Sequence, residues 1–303
     1  MLISKAISIK NAVKSDASYT RWVLLVVLSL IWGSSFILIK KGLTGFGYYE
    51  AATIRLMSAG LVFLPFAVRN VRKIPREKWG LIVVVSLLGM FIPAYLFCMA
   101  QLNVQSAVAA MLNSLTPIFT FLFSVFIFRL AYKINQIIGL ILGLASATLL
   151  ALEHAQGAVS LNMHAGLIVL ATIGYGYNIN LVKQYLAGIP AFVLSTVTVS
   201  LAGVLAFFTS FLPNIDGFIR PDFPWMPLAA LVILGVMGTA IAQLLSYKLI
   251  NMTSALFVSS ITFIIPIVAL LWGVLDGETF GWMHALGITG ILGAVFLIRR
   301  DKE

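Results

Sequence analysis

Amides, hydroxyls and aromatic rings stand inside long apolar runs of this sequence, where each is costly unless it meets a partner or water. Trp32, Ser35 and Phe36 share one run, and Lys40 extends the face of Trp32 and Phe36 at i, i+4 spacing. Tyr95 stands in another. Asn113, Ser114 and Thr116 precede Pro117, and Ser259, Ser260 and Thr262 precede Pro266. Tyr175, Tyr177, Asn178 and Asn180 form a further cluster, and Thr239 and Gln243 another. Such groups can hold a small polar or amphipathic solute by hydrogen bonds and ring contacts. They do not compose a catalytic centre. No Ser or Cys has an oriented base, no phosphate loop occurs, and His154, His164 and His284 lack metal-ligand spacing. No metal and no cofactor is expected.

Each group has a plainer reading too. A hydroxyl inside a helix commonly bonds its own i−4 carbonyl. Asn113, Asn178, Asn180 and Gln243 serve either a cavity or bonds between helices. Pro117 and Pro266 free backbone carbonyls and are expected to kink their helices. Arg55 lies inside an apolar run, so it reaches outward, pairs with Glu50, or faces a cavity. Lys40 and Lys183 are interfacial anchors or, with Arg55, gate or charge partners of the site.

The elements that carry these groups follow from composition. Of 303 residues, 61% are apolar and 10% charged. A soluble globule is nearer half apolar and a quarter charged. Lipid must therefore cover most of this surface, and the lone Cys98 excludes a disulfide framework. A membrane helix needs about 20 apolar residues. The runs between charges supply ten: Trp22–Ile39, Ala51–Val68, two within Trp79–Phe128, Ile134–Leu152, His164–Val182, Pro190–Leu212, Trp225–Tyr247, Ser254–Leu275 and Trp282–Ile298. Strict alternation, the mark of a β-barrel, is absent from the sequence. The fold class is an all-α polytopic membrane protein of ten transmembrane helices. Tails at 1–21 and 299–303 flank two halves, 22–152 and 164–298.

With the N-terminus inside, sixteen Lys and Arg fall on the cytoplasmic side and three (Lys40, Lys41 and Arg220) outside. That bias predicts two cytoplasmic termini. The basic residues sit in short bridges between apolar runs, so net charge +10 points to membrane orientation and not to nucleic acid. No Asp or Glu sits mid-span, which predicts transport without a carboxylate proton relay.

The halves repeat. Trp32-Gly…Lys40 matches Tyr175-Gly…Lys183 at an offset of 143. Gln105-Ser-Ala-Val108 matches Thr253-Ser-Ala-Leu256, and Gly139 matches Gly287, both at 148. Leu115-Thr-Pro-Ile118 and Ile264-Ile-Pro-Ile267 follow in the same order. Five spans is an odd number, so the second copy is inverted, an arrangement typical of secondary transporters.

The W-G-x-x-F…K pattern, the Ser-Ala-to-Pro spacing of the fourth span and the five-plus-five repeat resemble the EamA family of the drug/metabolite transporter superfamily, from about Trp22 to Ile298. Gly277-Glu278 is similar to the family's Gly-Glu pair, whereas the first half has Leu130 beside Arg129 at that place. The resemblance implies a multi-pass protein of the inner (plasma) membrane with a central cavity lined by the first, third, fourth, sixth, eighth and ninth spans. It implies export or facilitated movement of a small metabolite such as an amino acid by alternating access. A carrier of phosphorylated or nucleotide-linked sugars is the alternative and needs several cavity cations; a membrane-embedded enzyme is a weaker one. The expected partners are the small-molecule substrate and the bilayer, and a homodimer is compatible with the sequence.

Overall fold

A backbone that leaves water must satisfy its polar groups internally, and in a chain this apolar the α-helix does so. The computed structural model describes residues 2–154, 163–218, 222–275 and 281–299, and no strand occurs among them. Helical stretches join end to end into ten rods among the described residues. They are α1 (Leu2–Leu43), α2 (Tyr48–Lys73), α3 (Arg76–Ala100), α4 (Ser106–Phe126), α5 (Ile134–His154), α6 (Met163–Leu186), α7 (Ala191–Phe218), α8 (Trp225–Met252), α9 in two pieces (Ala255–Ser259 and Ile261–Leu275) and α10 (Trp282–Arg299). Eight are long and apolar enough to cross a bilayer, in α1 through the portion Tyr19–Leu43. The apolar parts of α5 and α10, Ile134–Leu150 and Trp282–Ile298, are shorter, about 25 Å at 1.5 Å per residue. Arg220, Gly277, Glu278 and the tail from 300 lie outside the described residues.

Small residues set the closest helix crossings. α2 runs along α7, and a methyl added to Gly60 would stand 2.8 Å from the Gly203 Cα. α5 runs along α10, where Gly139 faces Ala294 and Ile298 while Gly287 faces Ser146 and Leu150. α1 packs on α9 through Gly33 and Val268, and α6 packs on α4 through Gly176 and Thr120. Close backbone approach of this kind is how helices associate where lipid removes the hydrophobic drive.

Two helices break, α4 near its middle at Ser114–Leu115 and α9 near its start at Ser260. The expected kink at Pro117 falls two residues after the α4 break. In α9 the break lies six residues before Pro266, which sits inside the second piece. Each proline lacks an N–H and so strands the carbonyl four residues earlier. Hydroxyls take over that role: Thr116 Oγ1 donates to Asn113 O at 2.8 Å, and Ser114 Oγ donates across the bundle to Thr262 O at 2.9 Å. α3 and α8 stay continuous but widen into π turns at Leu87–Phe91 and Val236–Ile241.

The apolar interior is divided. One cluster, including Phe46, Ala51, Val104 and Leu231, fills the end holding the α1–α2 and α3–α4 turns. Another, including Leu25, Ile82, Leu186 and Phe257, fills the opposite end. Trp32 packs against both.

Candidate functional site

Between those two clusters lies a cavity of about 100 Å³. α1 contributes Trp32, Ser35, Phe36 and Ile39, and α6 contributes Tyr175, Asn178 and Ile179. The π turns bring in Gly89 and Met90 from α3 and Gly238 and Thr239 from α8. Phe97 stands further along α3, and Gln243, Ser246 and Ile250 further along α8. The broken helices supply Asn113 and Thr116 from α4, and Val258, Ser259, Thr262 and Ile265 from α9. Arg55 enters from α2.

The wall is fixed by hydrogen bonds between helices. Trp32 Nε1 donates to Gly238 O at 3.0 Å, which holds the indole against the π turn of α8. Arg55 Nε donates to Thr239 Oγ1 at 2.9 Å, one residue further on. The Glu50 carboxylate accepts from Gly47 N at 2.9 Å at the start of α2, and of the three readings of Arg55 the cavity-facing one matches its bond to Thr239. Gly89 and Gly238 leave room for polar neighbours: a methyl at Gly89 would collide with the Asn178 amide, and one at Gly238 would sit 2.9 Å from Ser35 Oγ. Asn178 Oδ1 is buried and has no hydrogen-bond partner among the described residues. An acceptor left so in a cavity wall is a place for a donor brought by a solute.

Of the predicted cavity residues, Trp32, Ser35, Phe36, Asn113, Tyr175, Asn178, Thr239, Gln243 and Ser259 come together here, as does Arg55. Tyr95, Tyr177 and Ser260 do not line it. Tyr177 is two positions beyond Tyr175, about 200° round the helix, and its ring packs on Phe123 and Phe128. Tyr95 is likewise two positions from Phe97 and donates to Ser210 Oγ at 2.6 Å, towards α7. Ser260 donates to Phe257 O at 2.7 Å within the break of α9. Lys40 is exposed near the end of α1, and Lys183 Nζ donates to Ile250 O at 2.9 Å, tying α6 to α8. Asn180 bonds Thr120 O and Ser124 and belongs to the α4–α6 contact. Ser34 accepts from Trp272 Nε1 at 3.0 Å.

The residues that sequence reasoning overlooked are Met90, Phe97, Gly89, Gly238, Ser246 and Val258, with the isoleucines. The two glycines carried a signal, since both stand mid-span in matching helices of the two halves. A larger groove of about 650 Å³ lies between α4 and α5, lined mostly by apolar groups such as Ile118, Phe121, Leu140, Ile141 and Leu144, with Thr148. Ile141 there is 66% exposed on the outside of the bundle, so the groove suits a lipid chain and not a polar solute.

Comparison with known proteins gives the same outline. The family model of the EamA-like transporter family matches residues 20–152 and again 163–300. The "Uncharacterized inner membrane transporter YedA" of Escherichia coli (strain K12) is 28% identical over 92% of this chain and 90% of its own. An "Uncharacterized transporter" of Archaeoglobus fulgidus is 21% identical over 93% of this chain and 99% of its own. A chloroplastic WAT1-related protein of Arabidopsis thaliana is 22% identical over 93% of this chain and 70% of its own. One solved crystal structure, 16% identical, shares the fold with a TM-score of 0.70 over 92% of this chain and 96% of that one. Two matches of one family model cover most of the sequence, one in each half, and this multi-pass membrane chain belongs to the EamA-like transporter family.

Proposed function

We propose that the chain carries a small polar or amphipathic metabolite, of amino-acid size, across the inner membrane by alternating access at the central cavity. Its ten rods act as two inverted five-helix repeats with both termini in the cytoplasm. The observation that carries this reading is a set of contacts that recur when the halves are exchanged. Gly89 meets Asn178, and Gly238 meets Ser35; Gly238 follows Gly89 by 149 positions, and Asn178 follows Ser35 by 143. Gly139 meets Ala294 and Ile298, and Gly287 meets Ser146 and Leu150, each 148 positions from its counterpart. The contact between Ser114 and Thr262 joins residues 148 apart, and that between Gly60 and Gly203 joins residues 143 apart, so these elements cross their own counterparts. A fold with that symmetry has two packings of similar energy, one open to each side. The inner-membrane relative YedA and the excess of Lys and Arg in the assigned cytoplasmic segments support the location and orientation.

Movement is facilitated diffusion, or at most weakly coupled to protons, because no carboxylate stands mid-span to carry a proton between the two states. A phosphorylated or nucleotide-linked sugar is disfavoured: among the described residues the cavity has one cation, Arg55, and Lys40 and Lys183 lie elsewhere. The test is metabolite profiling of cells with and without the protein, followed by flux of the metabolite that changes in proteoliposomes. Trp32→Ala and Asn178→Ala should slow that flux several-fold in folded protein. Wild-type flux in folded variants at Trp32, Asn113, Tyr175, Asn178 and Gln243 would reject the site.

A further inference from the structure

The central cavity holds one full charge and, among the described residues, nothing that balances it. Arg55 makes a single hydrogen bond there, from Nε to Thr239 Oγ1. A guanidinium has five N–H donors in a planar fork, so four are left without an acceptor among the described residues. Among the described residues no Asp or Glu lines the cavity. The nearest acid along the chain, Glu50, caps the start of α2. An ion withdrawn from water is costly unless it is paired and hydrogen-bonded. The fork of an arginine matches a carboxylate with two parallel bonds.

The rest of the wall argues about the other end of the ligand. Phe36, Phe97, Ile39 and Ile265 offer apolar surface. Asn178 Oδ1 offers a buried acceptor without a partner, which suits a neutral hydroxyl or amide N–H. An ammonium would find no carboxylate. Close to the guanidinium, in a medium less polarisable than water, the two cations would repel.

Resting on the cavity as the transport site, we propose that Arg55 anchors the carboxylate of a monoanionic substrate whose second polar group is a neutral donor, as in a 2-hydroxy or N-acyl acid, in preference to a zwitterionic amino acid. Arg55 reads the charge, Asn178 reads the donor, and the apolar wall accepts the side chain. A phosphorylated sugar, carrying more negative charge than one guanidinium balances, is a poor ligand in the same terms.

The experiment reads the cavity's charge without knowing the natural cargo. Cys98 is buried and is replaced (Cys98→Ala), and Ser35→Cys puts a thiol on the wall opposite Gly238, the residue before the partner of Arg55. Purified protein is treated with an anionic and a cationic methanethiosulfonate, and the ratio of the two rates is compared with and without Arg55→Gln. The ratio should fall at least tenfold when Arg55 is lost and should survive Arg55→Lys. Millimolar 2-hydroxyisocaproate should protect the thiol better than leucine, and isoamylamine should not protect it. Should Arg55→Gln fail to fold, Arg55→Met replaces it, and the order of protection tests the proposal with Arg55 intact. A ratio that changes less than twofold, protection by leucine equal to that by the hydroxy acid, or no protection by the hydroxy acid would overturn the proposal. A thiol that neither reagent reaches in folded protein would instead reject the cavity as the transport site.

Discussion

Gly60 on α2 meets Gly203 on α7, its own counterpart 143 positions later. Arg55, five residues before Gly60 on the same helix, has Thr198 as its counterpart at that offset. The difference separates two jobs. Where helices cross, both halves carry a small residue, as at Gly33 and Gly176, Gly89 and Gly238, and Gly139 and Gly287. Where the wall meets the cavity the halves diverge: Trp32 against Tyr175, Ser35 against Asn178, Met90 against Thr239. A scaffold that exchanges two packings needs equal crossings in both halves. A site for a solute with unlike ends needs unequal walls.

Breaking the equal part should do the most damage. Gly60→Leu or Gly203→Leu forces a side chain into a backbone contact and should eliminate the folded monodisperse protein on size-exclusion chromatography. Gly166→Ala, at a position with open space around it, should leave the elution unchanged. Overpacking of this kind usually costs about 1–3 kcal/mol, and more where backbone is the neighbour that must move.

Making the unequal part equal should spare the fold and weaken the site. Arg55→Thr gives α2 the residue of its counterpart. A charge-assisted hydrogen bond contributes about 1.5–3 kcal/mol, so affinity for a carboxylate should fall roughly ten- to a hundredfold, read by calorimetry on the purified protein. Asn178→Ser copies Ser35 into the second half. It should weaken binding of a ligand that carries a neutral donor by about fivefold, the size of a neutral hydrogen bond, and leave a ligand without the donor unaffected. Trp32→Phe keeps the ring and removes the bond to Gly238 O. A loss of about 1 kcal/mol is expected, seen as a drop of a few degrees in the melting temperature and a small loss of flux.

The equal part was the more legible in the sequence. Apolar runs between charges located the helices because chain length and lipid thickness are coupled. The matches of Gly33 with Gly176 and of Gly139 with Gly287 fall on crossings because only small residues admit a close backbone, whereas the Gly60–Gly203 crossing was not singled out. Polar residues in mid-span were also informative, since burial forces each to find a partner, and Asn113, Asn178 and Gln243 do line the cavity. Direction round the helix was less legible. Tyr175 and Tyr177 look alike in a list of residues, yet two positions turn a side chain to nearly the opposite face. Apolar wall residues such as Phe97 and Met90 gave no signal, because lipid, core and cavity accept the same side chains. The π turns in α3 and α8 were invisible too: each shifts the helical phase by one residue, and the glycine in each, Gly89 and Gly238, signals a close approach and not a widened turn. The breaks of α4 and α9 were better marked by their hydroxyls than by the prolines, since Ser114, Thr116 and Ser260 bond carbonyls around them.

The central claim is that one cavity opens in turn to both sides of the membrane. Ser259 lines the cavity from the break in α9 and is buried. Ser259→Cys in a Cys98→Ala background, treated with a membrane-impermeant thiol reagent in right-side-out and in inside-out vesicles, measures access from each side separately. The account predicts labelling from both sides, with each rate reduced by saturating substrate. Labelling from one side alone, at a rate that substrate does not alter, would contradict it.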